Sequence, residues 1–241
     1  MSRLLVSVRN LDEARLALAG GAGVIDVKQP ARGSLGAADA SDLLPIVEAM
    51  SHSAPISAAL GELLDPRQQL SPEDLDGLSF AKYGLAHCAM QPDWADLWQA
   101  KISLFPAGVA PVAVVYADRG AAAPAPQDIL RAAVSAEAPV LLVDTFNKQQ
   151  GPLLAHWRLE KVARFVAQVQ DAGLKIALAG SLDVSAIRQL VSLNPDFIAV
   201  RGAACNGGRT GSLDAARVSR IASLMTAALQ ARKLQATSPT D

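Results

Sequence analysis

The chain has 241 residues, 22 basic and 23 acidic side chains, a net charge of −1 and 51% hydrophobic residues. Intermixed charge of this kind excludes a polyanion-binding surface, so neither nucleic acid nor an anionic membrane is an expected partner. Two distant cysteines, Cys88 and Cys205, exclude a disulfide framework, and no apolar run approaches the roughly 18 residues of a membrane span.

The opening MSRLLVSVRNLDEAR holds too short an apolar run for a secretory signal and turns directly into a charged helix start, so a reducing cytoplasm is the expected compartment. Leu4–Val8 reads as a strand. NLDEARLALAGG follows as a helix, with Asn10 as N-cap, Glu13 three residues on and Gly20-Gly21 as its stop. Further strands are predicted at Gly23–Lys28, Pro55–Leu60, Phe80–Leu85, Pro111–Asp118, Val140–Phe146, Lys175–Ser181 and Phe197–Gly202. Helical spacing returns in RLEKVARFVAQVQDAG, which ends at Gly173, then in DVSAIRQLVSLNP and SLDAARVSRIASLMTAALQARK. Two crossovers look thin: Gly61 to Ser79, with a turn or two after Ser71, and RGAAAPAPQDILRAAVSAEAP.

Strands alternating with helices pair in parallel through right-handed crossovers. Eight units in this length predict a single-domain α/β fold, a (β/α)8 TIM barrel over residues 1–233, with a disordered tail at 234–241. A doubly wound sheet is the alternative, although no GxGxxG follows the first strand.

In a barrel, reactive groups stand at the carboxyl ends of strands. Side chains alternate along a strand, so Asp26 and Lys28 of VIDVK share a face, Lys28 at the strand end and Asp26 one interior position deeper. Lys82 in FAKYGL and Asp144 in LLVDTFNK also stand on even-numbered strands, at similar height to Lys28. Asp118 ends strand five, and Lys148 follows strand six by a short turn. One buried ion pair of this type is more often structural, but several ionisable groups meeting at one mouth are costly to desolvate without a purpose. Amine catalysis on a carbonyl fits them. A lysine ordinarily stays protonated at neutral pH; burial or a second cation frees its lone pair, and neighbouring carboxylates move the protons. Lys28 and Lys82 would each perturb the other, with Asp26 and Asp144 as proton carriers.

Gly180-Ser181 and Gly202-Ala203, after strands seven and eight, lie where barrels commonly bind phosphate. Loop two, KQPARGSLGA, adds Gly33, Ser34 and Gly36 as residues that would cover a phosphorylated substrate. His52, His87 and His156 have no metal-site spacing, and Cys205 reads as a bystander thiol.

The stretches LLVSVRNLDEARLALAGGAGVIDVKQPARGSLGA, FAKYGL, YAD, LLVDTFNKQQG, KIALAGSL and FIAVRGAACNGGRTG resemble the (5-formylfuran-3-yl)methyl phosphate synthase family, from Leu4 to about Gly211. The resemblance implies a TIM-barrel lyase of methanofuran biosynthesis, a carbon–oxygen lyase acting on phosphates. It would condense two molecules of glyceraldehyde 3-phosphate through a lysine Schiff base, with loss of phosphate and water and without metal or cofactor. By position Lys28 matches the Schiff-base lysine, Lys82 the proton-transfer lysine, and Asp26, Asp144 and Lys148 the assisting groups. Asp118 is added from its strand position. The usual KNP reads Lys28-Gln29-Pro30 here, and the third crossover is short for the family. Other readings of the residues are a non-covalent sugar-phosphate isomerase and a non-enzymatic barrel that binds a phosphometabolite. The apolar Ala/Leu helices permit association into a homo-oligomer.

Overall fold

The computed structural model describes residues 2–67 and 70–237, with side chains as far as 230. Among them, β1 (Arg3–Val8), β2 (Val24–Val27), β3 (Ile56–Glu62), β4 (Phe80–Gly84), β5 (Ala110–Tyr116), β6 (Val140–Asp144), β7 (Lys175–Leu178) and β8 (Phe197–Val200) close a barrel in sequence order. All neighbours are parallel, including the closing pair β1–β8, where Leu4 stands beside Ile198. That closure removes the open-sheet alternative.

Each barrel strand has two buried faces, which explains its nearly unbroken apolar reading. Residues such as Val6, Ile25, Ala113, Leu141 and Ile198 point outward into the layer shared with the helices. Their neighbours Val24, Val112, Val114, Leu142, Ala177 and Phe197 fill the barrel interior. The helical ring comprises α1 (Leu11–Ala19), α2 (Ala40–Met50), α3 (Trp94–Ile102), α4 (Pro126–Ser135), α5 (Leu153–His156), α6 (Leu159–Asp171), α7 (Val184–Val191) and α8 (Ala215–Thr237). None of the described helices is long and apolar enough to cross a membrane.

Among its described residues the thin third crossover holds a single 3-10 turn at Pro72–Leu75, where Asp74 accepts from the Ser71 N–H at 2.8 Å. Leu75 and Leu78 plug the gap that a full helix would cover. The crossover after β5 is fuller than its sequence suggests, because Pro126 at the first helical position starts a regular α4. Helix α8 runs to Thr237, past Lys233 where the sequence puts the start of a loose tail; residues 238–241 lie outside the described residues.

Candidate active site

The inward face of the even strands carries charge at its upper end. Asp26 of β2, Lys82 of β4 and Asp144 of β6 are all buried, at 2%, 4% and 2% exposure. With Lys28 and Lys148 they line one side of a cavity of about 520 Å³; Gly180, Ser181, Gly202, Ala203 and Arg209 line the other. The barrel is packed below this level. A small space of about 30 Å³, walled by Leu5, Val24, Phe80 and Phe197, lies beside Lys82.

The three amines differ in what holds them. Lys82 Nζ donates to Asp26 Oδ1 at 2.5 Å and to Ser57 Oγ at 2.8 Å, while Ser7 Oγ donates to Asp26 Oδ2 at 2.8 Å. Lys148 Nζ donates to Asp144 Oδ1 at 2.6 Å and to the Thr145 carbonyl at 2.6 Å. Lys28 Nζ has a single contact among the described residues, the Ser34 carbonyl at 3.3 Å, and no carboxylate within ion-pair distance. Burial pushes both carboxyls up, yet Lys82 and Lys28 hold Asp26, and Lys148 and Lys28 hold Asp144, below the usual range. Both therefore stay ionised at neutral pH. Burial pulls Lys28 the opposite way, down to about 8 against the attraction of Asp144 and Asp26.

This revises one expectation. The sequence makes Lys28 and Lys82 mutual perturbers, but Lys82 is neutralised by Asp26, and Lys148 is the stronger cationic influence on Lys28. The division of labour follows: two amines are held in ion pairs by buried carboxylates, and the third, whose proton affinity burial lowers, is in none among the described residues. A reaction that uses the neutral form of this amine would gain rate as pH rises and level off above a midpoint of about 8. At pH 7 it should run at about a tenth of its limit; a pH–rate profile of kcat/KM checks this, and a flat profile between pH 6 and 9 would contradict it.

Asp118, Gly33 and Ser34 stand apart from the other expected site residues. Asp118 does not line the cavity. Its carboxylate accepts from the backbone N–H groups of Phe146 at 2.6 Å and Asn147 at 2.9 Å, so it anchors the loop after β6. Gly33 and Ser34 are not among the residues that line the cavity. Ser34 is 2% exposed, and its hydroxyl is within hydrogen-bond distance of both Asp144 Oδ2 (3.0 Å) and the Thr145 carbonyl (2.8 Å). The Gly33 carbonyl accepts from Arg209 Nη2 at 2.7 Å. Loop two is thus a strap over Lys28, tied at Ser34 to β6 and at Gly33 to the loop after β8. Its tight return depends on Gly36, where a Cβ would stand 2.1 Å from the Gln29 carbonyl oxygen. Gly36→Ala should displace the strap and lower kcat/KM by about 10–100-fold, with far-UV circular dichroism unchanged; unaltered steady-state kinetics would show that the strap is not needed.

Gly180, Ser181, Gly202 and Ala203 all face the cavity. Ser181 is held at φ +51, a left-handed conformation that a non-glycine residue rarely adopts. The start of α7 is also here, its N-cap Asp183 accepting from the Ala186 N–H at 2.7 Å. Histidines and cysteines stand aside: His87 is exposed with its ring edge-on to Phe146, and burial pushes the Cys88 thiol up to about 11 and raises that of Cys205. No group of three or more His, Cys, Asp or Glu among the described residues could hold a metal.

Sequence reasoning missed three features. Glu13, noted only as a cap partner, is a buried anion bonded to Arg201 at 2.5 Å and Arg9 at 2.7 Å; burial pushes its carboxyl up, but the arginines win and lower it to about 2. Arg201 also donates to the carbonyls of Ser7, Arg209 and Gly211, binding β1, α1 and the loop after β8 together. Glu62 is turned inward by a register shift between Ala59 and Glu62, with Gly61 at φ +89, and accepts from Tyr116 Oη at 2.6 Å and the Ala86 N–H at 2.9 Å. Gly61 is the sequence trace of that bulge. Finally, Arg209 lines the cavity from a loop read only for its glycines.

Fold and cavity together are those of a TIM-barrel enzyme with its ionisable groups gathered at the carboxyl ends of the strands. The family described as 4-HFC-P synthase matches residues 4–222, and the chain belongs to it. A (5-formylfuran-3-yl)methyl phosphate synthase of Methanopyrus kandleri is 34% identical over 86% of this chain and 90% of its own length. One from Methanothermobacter thermautotrophicus is 32% identical over 85% and 90%. Among solved structures, phosphoribosyl anthranilate isomerase from Thermotoga maritima superposes with a TM-score of 0.61 over 94% of this chain and all of that one; at 15% identity the likeness is one of fold.

Proposed function

We propose that this enzyme condenses two molecules of glyceraldehyde 3-phosphate to (5-formylfuran-3-yl)methyl phosphate, as a Schiff-base-forming carbon–oxygen lyase of methanofuran-type cofactor biosynthesis. One observation carries the covalent part: of three amines in one cavity, Lys28 alone lacks a carboxylate partner among the described residues, and its proton affinity is pulled down to about 8. The names of the relatives support the product and, with it, the substrate class.

Neutral Lys28 adds to a triose phosphate carbonyl, and the resulting carbinolamine loses hydroxide as water on receiving a proton, leaving an iminium ion. Loss of the adjacent C–H proton then gives an enamine, whose carbon attacks the carbonyl of the second triose. Dehydration, loss of inorganic phosphate and release from Lys28 complete the furan. Asp144, ionised and bonded to Lys148, is the carboxylate proposed to take and return protons beside Lys28; the Lys148 ammonium is the proposed donor to departing oxygen. Asp26 and Lys82 form a second ionised pair beneath, which fixes the field in which Lys28 loses its proton. The phosphate groups are assigned to the backbone of Gly180–Ser181 and Gly202–Ala203.

Incubation of the purified protein with glyceraldehyde 3-phosphate alone, followed by mass spectrometry, tests this reading. The expected result is the furan phosphate with an equivalent of inorganic phosphate. A product of unchanged mass would make the protein an isomerase, and no product would remove the condensation altogether.

A further inference from the structure

The loop after β8 folds into a small hairpin, Cys205–Asn206 paired with Ser212–Leu213, and Arg209 stands at its tip. Its backbone passes beside Gly202, where a Cβ would meet the Arg209 nitrogen at 3.6 Å. From there its side chain crosses the mouth to loop two and donates through Nη2 to the Gly33 carbonyl. Arg201 and Arg9 are spent on Glu13, and Arg217 is bonded to Asn206, whereas Arg209 has no carboxylate partner among the described residues. A guanidinium carries five N–H donors in a rigid fork matched to phosphate. One of them is engaged, and the side chain lines the cavity beside Gly202.

We propose that Arg209 recognises the phosphate of the bound substrate and, through Gly33, couples its arrival to the seating of loop two over Lys28. The phosphate class of ligand rests on the function proposed above; the geometry of Arg209 does not. An anion at the Gly202 corner draws the free edge of the fork while the other edge keeps the Gly33 carbonyl. The next residue is Ser34, whose carbonyl accepts from Lys28 and whose hydroxyl meets Asp144. A phosphate at the mouth therefore tightens the strap that carries the nearest contact of the reactive amine. Half-burial, against the more distant attraction of Asp144 and with Arg201 nearby, also lowers the proton affinity of the guanidinium.

The test compares Arg209→Gln and Arg209→Lys with the parent protein. Rates of borohydride-trapped adduct are measured with D-glyceraldehyde 3-phosphate and with D-glyceraldehyde, inorganic phosphate binding is measured by calorimetry, and amide exchange is followed over residues 29–39. In Arg209→Gln the preference for the phosphorylated aldehyde should fall by at least about tenfold, phosphate should bind correspondingly more weakly, and the slowing of exchange that phosphate brings should vanish; Arg209→Lys should recover binding in part. Equal slowing with both aldehydes, or phosphate affinity like that of the parent, would overturn the recognition role. Weakened binding with exchange still slowed by phosphate would overturn the coupling. If the parent forms no adduct with either aldehyde, the amine mechanism fails, while the phosphate titration still decides the role of Arg209.

Discussion

Replacing Lys28 with arginine will remove turnover while leaving the barrel folded. Arginine keeps a positive charge and a long stem at the end of β2, but its guanidinium does not deprotonate in a protein and cannot add to a carbonyl. Lys28 is half-buried and, among the described residues, bonded only to the Ser34 carbonyl, so its replacement breaks no ion pair among them. The expected loss in kcat is on the order of a thousandfold or more, the scale seen when a covalent nucleophile is removed. Thermal unfolding should move little. A Lys28→Arg protein with a tenth or more of the parent kcat would show that the role of Lys28 is electrostatic.

The second large effect concerns stability as well as rate. Lys82 and Asp26 are 4% and 3% exposed as side chains and lie 2.5 Å apart, so Lys82→Met leaves a buried carboxylate whose one remaining side-chain donor among the described residues is Ser7. Stranding one member of such a pair costs about 3–5 kcal/mol, and for a chain of this size each kcal/mol lowers Tm by roughly 2–4 °C. The double variant Lys82→Met, Asp26→Leu replaces the pair by apolar groups next to Val24, Leu5 and Phe80, and should regain most of that loss. Activity should not return with it, because the field around Lys28 has changed. Recovery of stability with activity would reduce the pair to packing; a single Lys82→Met variant as stable as the parent would contradict its burial.

The barrel was legible because short apolar strands alternate with helical segments, some of which begin or end on a recognisable signal: Asn10 accepts from the Glu13 N–H as its spacing predicts, and α6 stops just before Gly173. Parity alone also assigned Asp26 and Lys28 to one face. Which acid meets which amine was not legible, since that depends on the relative stagger of strands: Asp26 sits in register with Ser57, and Lys82 with Ala59. Asp118 stands outside the cavity lining for a local reason. Strand β5 ends at Tyr116, and the chain bends into a 3-10 turn at Arg119, which takes the carboxylate away from the interior and onto the backbone of the next loop. Glu62 was hidden by the bulge that reverses parity, and the Glu13–Arg201 pair by its sequence separation of 188.

Peptide mapping after borohydride reduction in the presence of glyceraldehyde 3-phosphate tests the central claim, that the unpaired amine at the end of β2 is the one that bonds to substrate. The triose phosphate mass should appear on the peptide that contains Lys28 and on neither the Lys82 nor the Lys148 peptide. Its appearance on Lys82 or Lys148, or full turnover with no adduct at all, would contradict the account.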